Sequence, residues 1–531
     1  MASESRVSLR EQSAWLLVAK LIGFAFSFAL PLLIVRSLTQ EEVGHYREAF
    51  QVITNALVIL PLGFSMSAYY YLAREKDRRS AAILNILLFN FVVGGSACLF
   101  LYLYPQSIGG LFRTPELTEL APKIGIVIWI WIFSTFLETV AIANQEARIA
   151  TVFIILAQLS KTLLMGGAVL AFASVESFIY AAMVQGVIQT FILLNYLRSR
   201  FPGFWRKFDL SFFWEQMRYA LPFGVAGILW MAQNEIHNYF VGYKFSSSEF
   251  AIYAYGCFEI PLIAMLAESV TSVLIPKMNE LQQRDDRDEM IRLTVRAMQK
   301  LAFFYFPIYA FLLITAHTFI ITLFTKSYVE STNVFLVNIT MLPFSILITD
   351  PIVRSYKELG RLFLLTRVLV LIVLVSVLYY GLDHFSMTGM ITAAVCAVLG
   401  EKAIAEAMVI RKLGLGFRHL PMLQNVAKTA VASAIAAAVM YVFYVNVHLY
   451  LLDAVEELVL QTLATAKPSI VDFIGGGTVL ALSAMIFVPI YLIAANFLGL
   501  IEDNEKRTVK NAIERFMPFM RSTPADAKSS L

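Results

Sequence analysis

Apolar residues along this chain come in long runs that recur from one end to the other, not at the three-to-four-residue spacing of an amphipathic surface helix. A helix that crosses a bilayer needs about 20 mostly apolar residues. The pattern therefore predicts an all-α, polytopic integral membrane protein with about fourteen spans. Six run at 13–36, 43–72, 82–104, 121–146, 149–173 and 177–197. Six more run at 215–241, 250–275, 298–324, 333–353, 361–381 and 387–410, and two follow at 428–447 and 475–499. The tenth contains Pro343 and Asp350 and is the least regular. The first run follows a polar start and has no small-residue cleavage site, so it reads as a retained helix and not a signal peptide. Leu451 to Ala464 is a modest amphipathic stretch expected to lie along the membrane interface. Between the eighth and ninth spans, 279–296 is expected to be the largest inside connection. The tail from Glu502 to Met517 is helix-compatible and suited to the inner leaflet.

Basic residues orient the spans. About 32 of the 42 Lys and Arg fall in one alternating set of connections and about seven in the other. The split places both termini in the cytoplasm. Composition agrees: 59% of residues are hydrophobic and 15% charged, with mean hydropathy +0.70, where soluble domains carry about 25% charged residues. That excludes a soluble enzyme, a disordered scaffold and a single anchor with a soluble domain. The net charge of +4 reflects topology, and no basic patch interleaved with aromatics points to nucleic acid. Cys98, Cys257 and Cys396 all lie in apolar runs, with neither a disulfide framework nor metal-ligand spacing. Gly475-Gly476-Gly477 lacks the following Lys-Ser/Thr of a phosphate loop. No cofactor or metal is implied, and energy would come from an ion gradient, the membrane potential or removal of product.

The chain repeats itself. The link between the first two spans reads Thr39-Gln40-Glu41-Glu42-Val43-Gly44-His45-Tyr46, and 207 positions on stands Ser246-Ser247-Ser248-Glu249-Phe250-Ala251-Ile252-Tyr253. Glu42 matches Glu249, Tyr46 matches Tyr253, and Ala251 takes the place of Gly44. Six spans separate the copies, so both face the same way, which predicts two six-helix lobes related by an axis along the membrane normal. The expected division is a first lobe at 1–210, a second at 211–412, two additional helices at 413–500 and a cytoplasmic tail at 501–531.

With Arg36-Ser37-Leu38 and Glu42 to Tyr46 at the first junction, the chain resembles the polysaccharide-flippase (O-antigen/exopolysaccharide, Wzx-like) branch of the multidrug/oligosaccharidyl-lipid/polysaccharide exporter superfamily. Leu221-Pro222, Leu274-Ile275-Pro276 and Leu323-Phe324-Thr325-Lys326-Ser327-Tyr328 carry the likeness further, over about the first 410 residues. Thr325 stands where members often have Gly, and Ala251 replaces the second junction Gly. The resemblance implies a flippase in the bacterial cytoplasmic (inner) membrane that moves a polyprenyl-diphosphate-linked oligosaccharide outward by alternating access, for lipopolysaccharide or exopolysaccharide synthesis. It implies membrane lipids as partners, with a polysaccharide polymerase or glycosyltransferase complex as a further one. In relatives with fourteen helices the last two form a groove for the lipid tail; Ala430 to Ala438 suits either that or close helix packing.

Charges within spans are expensive, so each is a candidate for function. Lys20 lies about 10 Å inside the first span, either as a cavity cation or snorkelling to the interface. Arg47, Gln51 and Asn55 share one helical face. Arg47 would grip phosphate with its planar fork or anchor the outer interface. Lys161 in the fifth span would bind substrate or pair with Glu138 of the fourth. Gln185 and Gln189 suit sugar hydroxyls or interhelical hydrogen bonds. In the seventh span Gln233, Asn234, Glu235 and His237 form a polar group: Glu235 would carry a coupling proton or sit in a satisfied network, and His237 reads more simply as a bonded core histidine. Glu259, Glu268, Asp350 and Arg354 are further polar candidates, and Asp350, just before Pro351, would satisfy a freed backbone group.

Among other polytopic classes, a drug exporter of the same superfamily would have an acid-lined pocket and twelve helices, and a lipid II flippase is a further relative. A membrane glycosyltransferase or polymerase would need a large outside loop or an Asp-x-Asp motif, and neither is present, so the chain is not expected to be an enzyme. A non-transporting membrane component of a polysaccharide assembly complex is the remaining alternative: the charged inside connection and the tail would dock cytoplasmic enzymes, although such a role has no use for charges deep in the spans.

Overall fold

The computed structural model describes Gly23, Phe26 and residues 28–462 and 468–501, without the side chains of residues 261, 262 and 449. Lys20 and the tail helix expected at 502–517 lie outside the described residues. The chain forms α1 (Phe28–Ser37), α2 (Gln40–Ile59), α3 (Ser67–Arg74), α4 (Arg79–Leu103), α5 (Gln106–Phe112) and α6 (Pro115–Ser134). It continues with α7 (Phe136–Ala143), α8 (Ala147–Phe172), α9 (Val175–Arg200), α10 (Leu210–Lys244), α11 (Ser247–Gly256) and α12 (Pro261–Gln283). After α13 (Arg287–Phe324) come the short α14 (Ser331–Ile339), α15 (Met341–Phe344) and α16 (Asp350–Ser355). The described chain ends with α17 (Lys357–Tyr380), α18 (Met387–Leu413), α19 (Gln424–Thr462) and α20 (Pro468–Phe497). There is no strand among the described residues.

Eight of these helices are each long and apolar enough to cross a membrane, and the bent pair α2–α3 makes a ninth. The other spans read from the sequence are also helical where described, but their helices are broken, short or too polar to pass by composition. The second span bends by 50° between α2 and α3. There the chain turns through Leu62 (φ 49°) and Gly63 (φ 70°), and Gly63 lies against the backbone of Gly224, where a Cβ would come within 2.8 Å. The fourth span breaks at Thr135, the eighth between α11 and α12, and the tenth into three pieces around Pro343 and Pro351. The second and eighth breaks are six spans apart, as are the fourth and tenth.

The repeat also holds at atomic detail. Thr39 caps α2 and Ser246 caps α11, each hydroxyl accepting the backbone N–H three residues on at 3.3 Å. Glu42 and Glu249 close the two capping boxes by accepting the cap residue's N–H at 2.9 Å in each copy. At this end, the junction end, one continuous apolar core joins both halves, running from Ile34, Val43 and Phe178 to Phe250, Tyr255 and Phe324. At the opposite end the cores are separate. One holds Phe64, Leu72 and Leu193 together with Ala220 of α10; the other holds Met278, Tyr305 and Val353. The halves are therefore closed on each other at the junction end, and the first part of α10 leans on the first half.

Helices α19 and α20 pack against α13, burying Ala432, Ala436 and Tyr491, so the Ala-rich stretch is a packing face. Two connections differ from expectation. Leu451 onward is no separate interfacial helix but the continuation of α19, which runs unbroken to Thr462. Its end is held against α20: Gly475 leaves room for Glu456, and Lys326 bridges Asp472 at 2.7 Å and Glu456 at 3.6 Å. The charged connection at 279–296 is mostly helix as well, reduced to Arg284-Asp285-Asp286 between α12 and α13, with Asp286 capping α13.

Candidate functional site

A central cavity of about 520 Å³ opens between the two halves. One wall comes from α2, whose Arg47, Gln51 and Asn55 all reach it, as their i, i+4, i+8 spacing requires. Lys161 of α8 completes that side. The facing wall is α10, with Trp230, Gln233, Asn234, Glu235, His237 and Asn238. Glu259, just beyond α11, and Asn338 of α14 close the second side, and Ile391, Val395 and Val398 of α18 supply an apolar floor.

The polar groups are tied across the cavity. Gln51 Nε2 donates to Glu235 Oε2 at 2.8 Å, and Asn238 Nδ2 donates to the same oxygen at 2.7 Å. Asn55 Nδ2 donates to the Tyr239 hydroxyl at 2.9 Å. The Arg47 guanidinium lies 5.3 Å from the centroid of the Tyr255 ring and reaches the Ala254 carbonyl at 3.5 Å, so several of its N–H donors remain for a ligand. Lys161 Nζ lies 4.9 Å from the Trp131 ring centroid; it lines the cavity and does not pair with Glu138. His237 Nδ1 shares a 2.7 Å hydrogen bond with the hydroxyl of the buried Tyr253, as a bonded core histidine does.

Three sequence candidates lie elsewhere. Gln185 is buried in α9 and donates to Gln189 Oε1 at 3.0 Å, one turn along the same helix. Glu138 is exposed on α7. Asp350 opens α16 and pairs with Arg354 at 2.7 Å. Trp230, Asn238, Tyr239 and Asn338 were not singled out from the sequence. Asn238 follows Glu235 by three residues, a spacing that places the two side by side on a helix; Asn338 carries no such signal.

The contact that closes the junction end stands beside the cavity. There α2 crosses α11 so closely that a Cβ on Gly44 would stand 2.0 Å from the Ser247 carbonyl oxygen. Ala251, the counterpart of Gly44, is simply buried, which explains why one copy of the repeat needs Gly and the other does not. One turn along α2, Glu48 is wholly buried and neither carboxylate oxygen has a hydrogen-bond partner. The hydroxyls of Thr114 and Ser247, 3.4 Å apart, face it. Arg36 clamps this end from α1, donating to the carbonyls of Thr322 and Leu323 at the end of α13 at 2.6 and 2.8 Å. Thr325, at the position where Gly is usual in the resembling family, sits at φ 74° and ψ 165°, a conformation that strains any residue but Gly.

Known structures share this arrangement. A lipid II flippase, MurJ, in an inward closed conformation matches with a TM-score of 0.68 and 14% identity, over 91% of this chain and 98% of its own. A MOP superfamily transporter from Pyrococcus furiosus matches at 0.54 and 17% identity over 77% of this chain and 97% of its own. A multidrug resistance MATE family transporter, outward-facing, matches at 0.54 and 16% identity over the same shares. At these identities the likeness is one of fold. No curated protein matches the sequence. Residues 33–333 match the polysaccharide biosynthesis protein family; that match takes in the first repeat, the junction end and most of the cavity wall, and with it the chain belongs to this family.

Proposed function

We propose that this protein is a flippase that carries a polyprenyl-diphosphate-linked oligosaccharide from the inner to the outer leaflet of the bacterial cytoplasmic membrane, supplying lipopolysaccharide or exopolysaccharide synthesis. Both termini lie in the cytoplasm on this reading, so the closed junction end faces outward and the cavity serves the cytoplasmic side. The two lobes then rock about the cavity to expose it alternately. The observation that carries the proposal is the cavity wall itself: Arg47 and Lys161 reach it without a carboxylate partner among the described residues, beside amides suited to sugar hydroxyls. A diphosphate would take the cations, and Lys20, on the first span, would extend the same basic wall. Glu235 and His237 belong to the polar network that lobe motion must rearrange, while Glu138, Gln185 and Asp350 support helices away from the cargo. A polymerase or glycosyltransferase complex would receive the flipped cargo.

The test is a deletion strain of the native host, with lipids read by mass spectrometry and surface polymer scored in the same cells. Complete lipid-linked oligosaccharide should accumulate while surface polymer disappears. A charge-assisted hydrogen bond contributes about 1.5–3 kcal/mol. R47Q and K161Q, expressed at the native level, should therefore restore roughly 10–100-fold less transport than the parent. Unchanged lipids with intact polymer would overturn the proposal.

A second reading, a lipid II flippase, is favoured by the MurJ likeness, which extends over 91% of the chain where the multidrug transporter covers 77%. The same extract separates the two, because that reading predicts accumulated peptidoglycan precursor and lysis with surface polymer intact.

A further inference from the structure

The charged groups of the cavity do not neutralise one another. Both cations, Arg47 and Lys161, stand on the first lobe; both acids, Glu235 and Glu259, stand on the second. The partners of Arg47 are the Tyr255 ring and the Ala254 carbonyl, and that of Lys161 is the Trp131 ring. Glu235 accepts its hydrogen bonds from the amides of Gln51 and Asn238, both at one oxygen. Glu259 makes no hydrogen bond or ion pair among the described residues. The basic wall thus keeps donors for an anion, and the acidic wall keeps acceptor oxygens for a donor. The spacing is short. Gln51, which holds Glu235, follows Arg47 by one helical turn, about 5.4 Å, roughly the step from a phosphate to the sugar ring attached to it.

We infer that Glu235 and Glu259 are specificity residues: they receive the sugar next to the diphosphate through its hydroxyl or amide N–H groups, and they select neutral or amino sugars against uronic acids. The inference rests on the flippase reading and names the cargo class within it. A carboxylate accepts from two donors at once and suits a sugar's adjacent hydroxyls. The same two carboxylates meet a uronic acid with like charge in a cavity of low dielectric, which is rejection by repulsion more than by missing contacts. Trp230, at the cavity wall on the same face of α10 as Asn234, offers a ring against which a neutral sugar can lie.

The experiment measures affinities of the full-length purified protein for four probes: farnesyl diphosphate, and farnesyl diphosphate carrying glucose, N-acetylglucosamine or glucuronic acid. The glucoside and the N-acetylglucosaminide should bind at least tenfold more tightly than the glucuronide. E259Q removes one negative charge from a side chain that makes no hydrogen bond or ion pair among the described residues, so it should fold; it should shrink that ratio at least threefold, and E235Q should shrink it as well. A glucuronide bound as tightly as the glucoside by the parent protein would overturn the inference, as would a ratio that both variants leave unchanged. In either case bound farnesyl diphosphate leaves the flippase reading standing. If none of the four binds, the flippase reading falls and this one with it.

Discussion

Glu48 sits where no cation among the described residues reaches it. Its side chain is wholly buried at the crossing of α2 and α11, no donor meets either oxygen in full hydrogen-bond geometry, and only the hydroxyls of Thr114 and Ser247 stand close enough to turn toward it. An ionised carboxylate buried without a cation costs several kcal/mol, and even a neutral polar group left unbonded costs about 1–3 kcal/mol. Glutamine has nearly the same shape, carries no charge and offers two donors to the waiting hydroxyls. E48Q should therefore be at least as stable as the parent, with a gain of about 1 kcal/mol seen as a higher melting temperature in detergent; a melting point several degrees below the parent's would show that Glu48 has a partner it needs. The sequence showed Glu48 only as an acid next to Arg47. Helical spacing revealed the neighbouring stripe, because Arg47, Gln51 and Asn55 lie on one helix and their common face follows from the period alone. It could not reveal Glu48, whose surroundings come from α11 and the start of α6. The same limit explains Gln185, Glu138 and Asp350, whose settings depend on how other helices pack.

Several of the helices that meet the cavity are too short or too polar to cross a membrane by themselves. Neither α10, α11, α14 nor α18 passes as a membrane span alone, and α2 passes only together with α3; all five contribute to the cavity wall. Helices α4, α17 and α20, which carry long exposed apolar faces, are the most apolar of the spans. Weak hydropathy alone does not mark a cavity helix, since α8 is strongly apolar and carries Lys161 while α12 is weak and stands outside the wall; the breaks in the second and eighth spans do fall where those helices turn around the cavity. What hydropathy could not supply was the closeness of α2 and α11. That approach depends on Gly44, since a Cβ there would overlap the Ser247 carbonyl at 2.0 Å, within backbone that cannot swing aside. G44V should force the two helices apart at the junction end. It should destabilise the protein by about 1–3 kcal/mol, the range for overpacking a close contact, whereas Ala251→Gly, the reverse change in the other copy of the repeat, should cost about 0.5–1 kcal/mol. Thermal unfolding of both variants checks this, and a G44V protein as stable as the parent would mean that α2 and α11 do not approach as described.

The whole molecule is held shut at one end. A single core runs through both halves at the junction end, and separate cores serve the halves at the other. Arg36, the α2–α11 crossing and the bond from Gln40 to the Ser327 carbonyl at 2.5 Å all add to that closure. If the cavity is to be reached from both sides in turn, this end must open in every cycle, and any covalent bond across it must stop transport. Thr114 and Ser247 supply the place for one. They belong to opposite halves, and their hydroxyl oxygens are 3.4 Å apart, so cysteine Sγ atoms in their place would need to close by little more than about 1 Å to reach the roughly 2.05 Å of a disulfide. In a background with Cys98, Cys257 and Cys396 replaced by Ala, T114C/S247C should form the bond under mild oxidation and, on the proposed function, lose flipping of a labelled lipid-linked oligosaccharide in proteoliposomes. Reduction should restore it. Each single cysteine variant should flip under both conditions, which separates the lock from any damage done by the substitutions. A fully cross-linked protein that still flips its cargo would show that the junction end stays closed throughout, and the cargo would then have to leave sideways between the lobes, with the outer face never opening at all.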